Sequence, residues 1–165
     1  MALDNASVQR VQAALRDAGS PAQVMALAET ARSAQEAADS IGCELGAIVK
    51  SLVFQIGDQP VMALVAGDRR CNEKALPAAF GLEGKAKRAS AETVRASTGF
   101  AIGGVAPVGH PQALPMVIDS SLARFPAIYA AAQLTAGGVA LNSMIDDFSV
   151  NEGIMIGFVL VVAYC

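Results

Sequence analysis

The stretch IGCELGAIVKSLVF, residues 41–54, places one lysine inside a run that otherwise has the composition of a buried β-strand. Because the side chains of a strand alternate between its two faces, Lys50 shares a face with Ile48, Leu52 and Phe54, all of which are apolar. An ammonium group in such surroundings must be paired with polar groups, reach solvent at the end of its flexible stem, or serve a function. From this residue alone, a lysine that extends to solvent and a functional lysine are equally open interpretations.

The segments on both sides of Lys50 define its strand. Residues 47–56 and 60–66 are rich in β-branched and apolar side chains, and the GDQ between them is a turn signal. These features predict a hairpin whose first strand carries Lys50. The sequence SAQE at 33–36 has the spacing of a capping box, which predicts a helix that starts there and ends at Gly42.

Apolar periodicity and stop signals divide the rest of the chain into further short elements. The first half of the chain adds a helix over 7–18, a connector or helical turn over 43–48, and a short helix capped by Asn72 and ended by Gly81. A basic linker over 82–89 follows, and then a helix over 90–98 that is capped by Ser90 and stopped by Gly99. The rest consists of a strand that runs from residue 100 into a loop of glycine and proline, a strand over 114–119, a short helix over 120–125, an extended segment over 127–132, and a buried apolar strand over 154–165.

The composition predicts one globular domain over residues 1–165 in the cytoplasm. Of the 165 residues, 53% are hydrophobic and 16% are charged, which is enough apolar material for one sizeable core. The three cysteines are far apart and form no CxxC, so they favour a reducing compartment over a disulfide framework or a zinc site. The first residues lack the pattern of a signal peptide, and the final apolar run is shorter than the roughly 20 residues of a membrane helix. We therefore expect no membrane segment.

Charge is distributed unevenly along the chain. The net charge is −3, yet residues 65–95 hold seven basic and four acidic residues, a local balance of +3. The remaining five basic and eleven acidic residues give −6. A basic patch on an acidic body could hold a phosphodiester chain, and an ordinary solvated face is an equally open interpretation.

The familiar catalytic motifs are absent from the sequence, which contains no GxSxG, HExxH, Walker loop or GxGxxG. His110 is the only histidine and lies beside a proline, so we expect an exposed loop residue and not a catalytic base. Cys43 and Cys71 lack an evident partner, and the consecutive Asp146 and Asp147 would point to different sides of any regular element. Lys50 remains the best candidate for a functional residue.

Four stretches in order along the chain carry a family resemblance: AQEAADSIGCELGAIVKSLVF, VAGDRR, GFAIGGVAPVGH and LPMVIDSSL. Together they resemble the YbaK/EbsC family of aminoacyl-tRNA deacylases, which is related to the editing domain inserted in bacterial prolyl-tRNA synthetases. The resemblance covers roughly residues 7–132. The segment 133–165 departs from the family pattern, and its final apolar run has no counterpart there.

The resemblance implies an α/β (α+β) fold, a single compact domain with a curved mixed sheet or incomplete barrel and surrounding helices. It implies an enzyme that hydrolyses the ester between a wrong amino acid and tRNA, and the expected substrate is a proline tRNA that carries cysteine, alanine or another small residue. The acceptor end of tRNA would then be the main partner, and prolyl-tRNA synthetase a second one. No cofactor and no metal is implied, and the oligomeric state stays open.

The resemblance also assigns residues. Catalytic roles map onto Lys50, Gly103 and Gly104. Substrate-binding roles map onto Ser51, Gly67, Asp68, Arg69, Arg70, Pro107 and Gly109. Deacylation of an activated ester needs a positioned water and donors aimed at the developing oxyanion, but no covalent nucleophile. A lysine ammonium can polarise a carbonyl or hold a phosphate, and glycine lets backbone N–H groups approach an ester closely.

Two other functions remain open at this point. The chain could be a non-catalytic module that binds tRNA or a synthetase with the same fold. Lys50 could also act as a Schiff-base nucleophile toward a small carbonyl compound, although no neighbouring cation or acid is evident in the sequence to tune its pKa.

Overall fold

The computed structural model describes residues 6–26, 31, 33–131, 139–144 and 161–162. Within these residues the chain forms four α-helices and eight β-strands. The helices are α1 (Ala6–Asp17), α2 (Ala34–Ile41), α3 (Leu76–Phe80) and α4 (Ala91–Thr98). The strands are β1 (Gln23–Ala26), β2 (Ile48–Ile56), β3 (Gln59–Ala66), β4 (Ala86–Arg88), β5 (Met116–Ile118), β6 (Ala127–Ala131), β7 (Val139–Met144) and β8 (Val161–Val162).

The strands form one open, mixed sheet in the order β1-β7-β6-β2-β3-β5, with β4 paired to β2 and β8 paired to β6. The expected hairpin is confirmed, because β2 and β3 pair antiparallel and place Lys50 opposite Val65. On its other side β2 pairs in parallel with β6 at Ile48 and antiparallel with β4 at Phe54. The lysine strand is therefore central to the sheet, and the expected α/β fold with a mixed, unclosed sheet is confirmed.

Both faces of β2 are covered, which explains its continuous apolar sequence. Val49 and Val53 face a core formed with α1, α4 and the segment that follows α4. Phe54 and Ile56 belong to a second core with Leu76 of α3. Burial on both sides leaves little solvent along the strand, so Lys50 must find polar partners close to it.

Local capping signals placed most helices correctly. The Ser33 hydroxyl accepts a hydrogen bond from the Glu36 N–H at 3.2 Å, and α2 ends at Gly42, whose φ of 78° is the left-handed cap. In the same way Ser90 caps α4, which ends at Gly99. The helix expected over 7–18 is confirmed as α1.

Three expectations about local structure were wrong. The basic linker contains β4, which adds as a short edge strand to β2; charged side chains are typical of such edges. Asn72 does not cap α3, because the helix starts only at Leu76. Asn72 instead belongs to a preceding turn, in which its carbonyl accepts a hydrogen bond from the Ala75 N–H. No strand follows α4 at residue 100, where turns lead to Gly103 with a φ of 86°.

The remaining elements are shorter than expected. The strand over 114–119 is β5, and the helix over 120–125 is a 3₁₀-helix, Ser120–Arg124. The connector over 43–48 holds a 3₁₀ turn, Leu45–Ala47. Of the apolar run 154–165, only β8 is described, and it pairs in parallel with β6. The rest of that run, the Asp146 and Asp147 pair, and both ends of the expected domain lie outside the described residues.

Candidate active site

A cavity of about 640 Å³ opens beside the first half of β2. Its walls come from the start of α2, from β2, from the end of β4 and from the segment around α4. The lining residues are Ser33, Ala34, Ile48, Val49, Lys50, Ser51, Leu52, Val53, Arg88, Ala89, Val94, Ile102, Gly103 and Val105. The lining is mostly apolar, and Lys50 and Arg88 bring basic groups to it.

Lys50 is half-buried, and backbone carbonyls hold its ammonium. The Nζ atom donates hydrogen bonds to the carbonyl oxygens of Gly67 at 3.2 Å and Arg69 at 2.5 Å. Burial lowers the Lys50 pKa below its usual value of 10.5, while the Asp68 charge opposes that shift. Since an ammonium has three N–H donors, two carbonyl partners leave the third for another acceptor.

The expected substrate-binding residues 67–70 lie together in the turn that follows β3. Gly67 is pressed against the neighbouring 3₁₀ turn, because a Cβ there would collide with the Leu45 carbonyl oxygen. The Asp68 carboxylate forms an ion pair with Arg124 at 2.5 Å. In this turn the Gly67 and Arg69 backbones face Lys50, whereas the Arg69 and Arg70 side chains are exposed.

Only part of the glycine loop reaches the cavity. Gly103 lines it, whereas Gly104 is buried and its N–H donates to the Ala101 carbonyl at 3.0 Å. Pro107 is buried behind the loop, and Gly109 lies against the backbone of α1. The loop therefore brings Gly103 together with Lys50, and it holds the other three residues away from the cavity lining.

Ser51 combines burial with an unused hydrogen-bonding group. It lines the cavity and, as the next residue on β2, points to the opposite face from Lys50. Its Oγ is buried without a hydrogen-bond partner among the described residues. A buried hydroxyl without a partner is costly, and because this oxygen is not accessible, a ligand in the cavity would reach it only if the cavity wall shifted.

His110 differs from its expectation as an exposed loop residue, since it is partly buried. Its Nε2 lies 2.7 Å from the Ala106 carbonyl oxygen, and its ring packs edge-on against Phe100. Because a carbonyl only accepts, Nε2 carries the proton of this bond. Burial lowers the His110 pKa below 6.5, so the imidazole is neutral at neutral pH and supports the glycine loop from behind.

Sequence inspection did not single out Asp119 and Arg124, which also support the site. Asp119 caps the 3₁₀-helix through the Ser121 N–H at 2.9 Å and accepts from the Ala66 N–H at the end of β3. Burial disfavours its ionised form, but these hydrogen bonds lower the Asp119 pKa overall. The Ala66–Asp119 and Asp68–Arg124 pairs each join residues more than 50 positions apart along the chain. No short-range sequence signal could therefore have identified these two contacts.

The predicted basic patch is exposed and adjoins the cavity. It consists of Arg69, Arg70, Lys85, Lys87 and Arg88, and all five residues are exposed. Arg88 also lines the cavity, lies 5.0 Å from the centre of the Phe54 ring and pairs with Glu73 at 3.3 Å. The patch thus runs outward from the cavity along β4.

One known protein family matches most of the chain. Residues 28–136 match the model of the aminoacyl-tRNA editing domain, and this match includes the cavity, the turn after β3 and the glycine loop. The chain belongs to the aminoacyl-tRNA editing domain family. This confirms the resemblance drawn from the four sequence stretches.

Individual relatives of this editing domain come from two kinds of protein. EbsC of Enterococcus faecalis, named as a candidate Cys-tRNA(Pro)/Cys-tRNA(Cys) deacylase, is 31% identical over 102 residues, 61% of each chain. The proline–tRNA ligase of Thermosipho africanus is 34% identical over 122 residues, which are 73% of this chain but only 21% of the ligase. The editing domain therefore resembles free-standing proteins and a segment of a synthetase.

A solved structure supports the same assignment. A crystal structure named as that of a candidate trans-editing enzyme for prolyl-tRNA synthetase superimposes with a TM-score of 0.75 at 38% sequence identity. The match covers 84% of this chain and 87% of the other. Among the residues that the structure describes, no helix is long and apolar enough to cross a membrane, and no cluster of three or more His, Cys, Asp or Glu could hold a metal ion.

Proposed function

We propose that this editing domain is a hydrolase that removes the wrong amino acid from tRNA, acting in trans on a proline tRNA that carries cysteine, alanine or another small residue. The observation that carries the proposal is the half-buried Lys50 ammonium, held by two carbonyls at the edge of an apolar cavity. The family of the chain and its deacylase relative support the same chemistry.

The reaction is attack of a water on the ester carbonyl, and Lys50 supplies positive charge to the site. Its remaining N–H donates to the ester carbonyl oxygen or to the terminal phosphate, which stabilises negative charge in the transition state. Since the neutral His110 is bonded to the loop, we expect a group of the substrate to handle the proton, either its ribose hydroxyl or a reactive amino-acid side chain.

Selection of the amino acid rests on the apolar wall of the cavity. This wall is formed by four valines, Val49, Val53, Val94 and Val105. An apolar wall of this kind favours a small uncharged side chain. A single methylene changes binding in such a pocket by only about 1–3 kcal/mol. This limited discrimination is the reason that a second, hydrolytic sieve is useful to a synthetase.

The tRNA would approach along the exposed basic patch, which starts at Arg88 in the cavity and continues to Lys85 and Lys87. Such side chains position a phosphate backbone without reading its sequence. We place the reaction in the cytoplasm, with prolyl-tRNA synthetase as the second partner that supplies the mischarged tRNA.

A panel of charged tRNAs tests the proposal. Purified protein is incubated with proline tRNA carrying cysteine, alanine or proline, and with alanine on its own tRNA, and amino acid release is measured against spontaneous hydrolysis. We expect release of cysteine or alanine from proline tRNA above the spontaneous rate. The correctly charged tRNAs should lose their amino acid only at the spontaneous rate. A non-catalytic binding module would instead slow the spontaneous release from every tRNA that it binds, and that result would refute the proposal.

A further inference from the structure

The ion pair between Arg124 and Asp68 lies directly behind the turn that holds Lys50. Asp68 sits between Gly67 and Arg69, whose carbonyl oxygens accept from the Lys50 ammonium. Its carboxylate is paired with Arg124 from the 3₁₀-helix, at 2.5 Å. The carboxylate is therefore on the same short turn as both carbonyl partners, but it is engaged by a different cation.

The pair packs against an aromatic ring and a glycine. The Arg124 guanidinium lies over the Phe125 ring at 4.6 Å from its centre. Gly46 lies beneath the pair, since a Cβ at that position would collide with the Arg124 guanidinium, the Phe125 ring and the Asp68 carboxylate. A side chain at position 46 would therefore displace the ends of these three side chains.

Without Arg124, Asp68 would be a free carboxylate next to a half-buried ammonium. Opposite charges within a few ångströms attract strongly where water is partly excluded. The Asp68 charge already favours the protonated form of Lys50 in the intact structure. A released carboxylate would compete with the substrate oxygen for the remaining N–H of Lys50.

We propose that Arg124 is a positioning residue: by engaging Asp68 over Gly46, it keeps that carboxylate away from Lys50 and leaves the ammonium free for the substrate. The inference rests on the proposed deacylation and goes beyond it by assigning opposite roles to two residues of one ion pair. Asp68 is then a fixed element of the turn and does not contact the substrate.

Variants of the pair test this proposal through kcat. Arg124→Gln should lower kcat at least tenfold with a smaller change in KM, because the released Asp68 competes for Lys50. Arg124→Gln combined with Asp68→Asn should recover to the level of Asp68→Asn alone, because the competing charge is gone. A double variant as slow as Arg124→Gln would overturn the proposal, since it would mean that Arg124 binds tRNA or merely braces the turn.

Two controls separate folding and net charge from positioning. Arg124→Lys retains a cation for Asp68 and should keep most of the activity. Arg16→Gln removes an exposed positive charge from the last turn of α1, which does not line the cavity, and should leave kcat unchanged. Thermal unfolding should show folded variants, because a pair whose side chains are 35% and 38% exposed contributes little to stability. Loss of activity in Arg124→Lys equal to that in Arg124→Gln would contradict a role in neutralising Asp68.

A second measurement does not depend on activity. The chain has only four lysines, so lysine labelled with ¹³C at Cε gives few NMR signals without altering the ammonium, and a Lys50→Arg variant assigns the signal from Lys50. The charged and titratable groups around Lys50 are Asp68, Arg88, Asp119 and Cys71. Of these, only Asp68 changes its pairing in Arg124→Gln, so the Lys50 pKa should rise in that variant and return in the double variant.

The titration also distinguishes the two ways in which the proposal could fail. An unchanged Lys50 pKa in Arg124→Gln would overturn the positioning role even if the protein is an active deacylase. Absence of amino acid release from every tRNA by the unmodified protein would refute the proposed function, and a raised Lys50 pKa in Arg124→Gln would still support the role of Arg124.

Discussion

The turn after β3 contacts Lys50, and the glycine loop lines the cavity beside Lys50, but the two segments are built in different ways. The turn presents the backbone carbonyls of Gly67 and Arg69 to Lys50 and is clamped by an ion pair. The loop brings only Gly103 to the cavity and is supported from behind by His110. The turn therefore sets the charge environment of Lys50, whereas the loop forms part of the cavity wall.

Replacement of Lys50 should produce the largest effect, because it removes the charge that the turn holds. Lys50→Met approximates the volume of the stem but deletes the ammonium. We expect a loss of about 10²-fold or more in kcat/KM, the size found when one oxyanion donor is removed. Deacylation and thermal unfolding measured on the same preparation check this.

The stability of the Lys50 variant is the necessary control. The fold should stay intact, because relief of the desolvation cost of a half-buried charge offsets the loss of the hydrogen bonds to the Gly67 and Arg69 carbonyls. Lys74→Met removes an exposed lysine from the segment after the turn and serves as the matched variant with normal activity. A folded and fully active Lys50→Met protein would mean that the lysine is structural.

Two glycine substitutions should separate the turn from the loop. In Gly67→Ala the new Cβ collides with a backbone oxygen of Leu45, so either the turn that holds Lys50 or the Leu45–Ala47 segment must shift. We expect a loss of roughly 1–3 kcal/mol in the free energy of unfolding, which is the usual cost of overpacking. We also expect about a tenfold loss of kcat, because displacement of the turn would move the carbonyl partners of Lys50. Chemical denaturation and single-turnover deacylation provide the measurements.

Gly103→Ala is the counterpart of that variant in the loop. Its Cβ would meet nothing within 4 Å, so the cost comes only from the φ of 86° and is about 1–2 kcal/mol. Activity should fall through KM more than through kcat, because the alanine methyl adds to the wall and leaves Lys50 in place. A larger fall of kcat in Gly103→Ala than in Gly67→Ala would reverse the roles assigned to turn and loop.

Removal of the His110 support should have a smaller effect. His110→Leu leaves the buried Ala106 carbonyl without its donor, which costs about 1–3 kcal/mol. Loosening of the loop should raise KM a few-fold and speed amide hydrogen exchange in residues 103–106, with kcat nearly unchanged. His110→Gln keeps an N–H donor and should recover part of the effect; a large fall of kcat in His110→Leu would instead indicate a direct role in proton transfer.

Short-range signals explain what the sequence predicted and what it did not. The hairpin, the serine caps and the terminal glycines each depend on residues a few positions apart, so the site of Lys50 on β2 could be predicted. The Arg124–Asp68 pair joins residues 56 positions apart, and the unpartnered Ser51 hydroxyl depends on burial by several elements. β4 was missed because the charged residues of an edge strand are not distinguishable from those of a linker.

The smallest effects should come from exposed charges, which decide whether tRNA approaches along β4 or across the turn. Lys85→Gln with Lys87→Gln removes two charges from the β4 side, and Arg69→Gln with Arg70→Gln removes two from the turn without altering its carbonyls. The plot of log binding constant against log salt concentration should become shallower by just under one for each phosphate that the variant no longer neutralises. Because the patch continues from Arg88 in the cavity, we expect the Lys85 and Lys87 variant to reduce the slope more than the Arg69 and Arg70 variant does. Arg16→Gln serves as the control for loss of positive charge. Equal slopes in both double variants and in the unmodified protein would remove the basic patch from the binding surface.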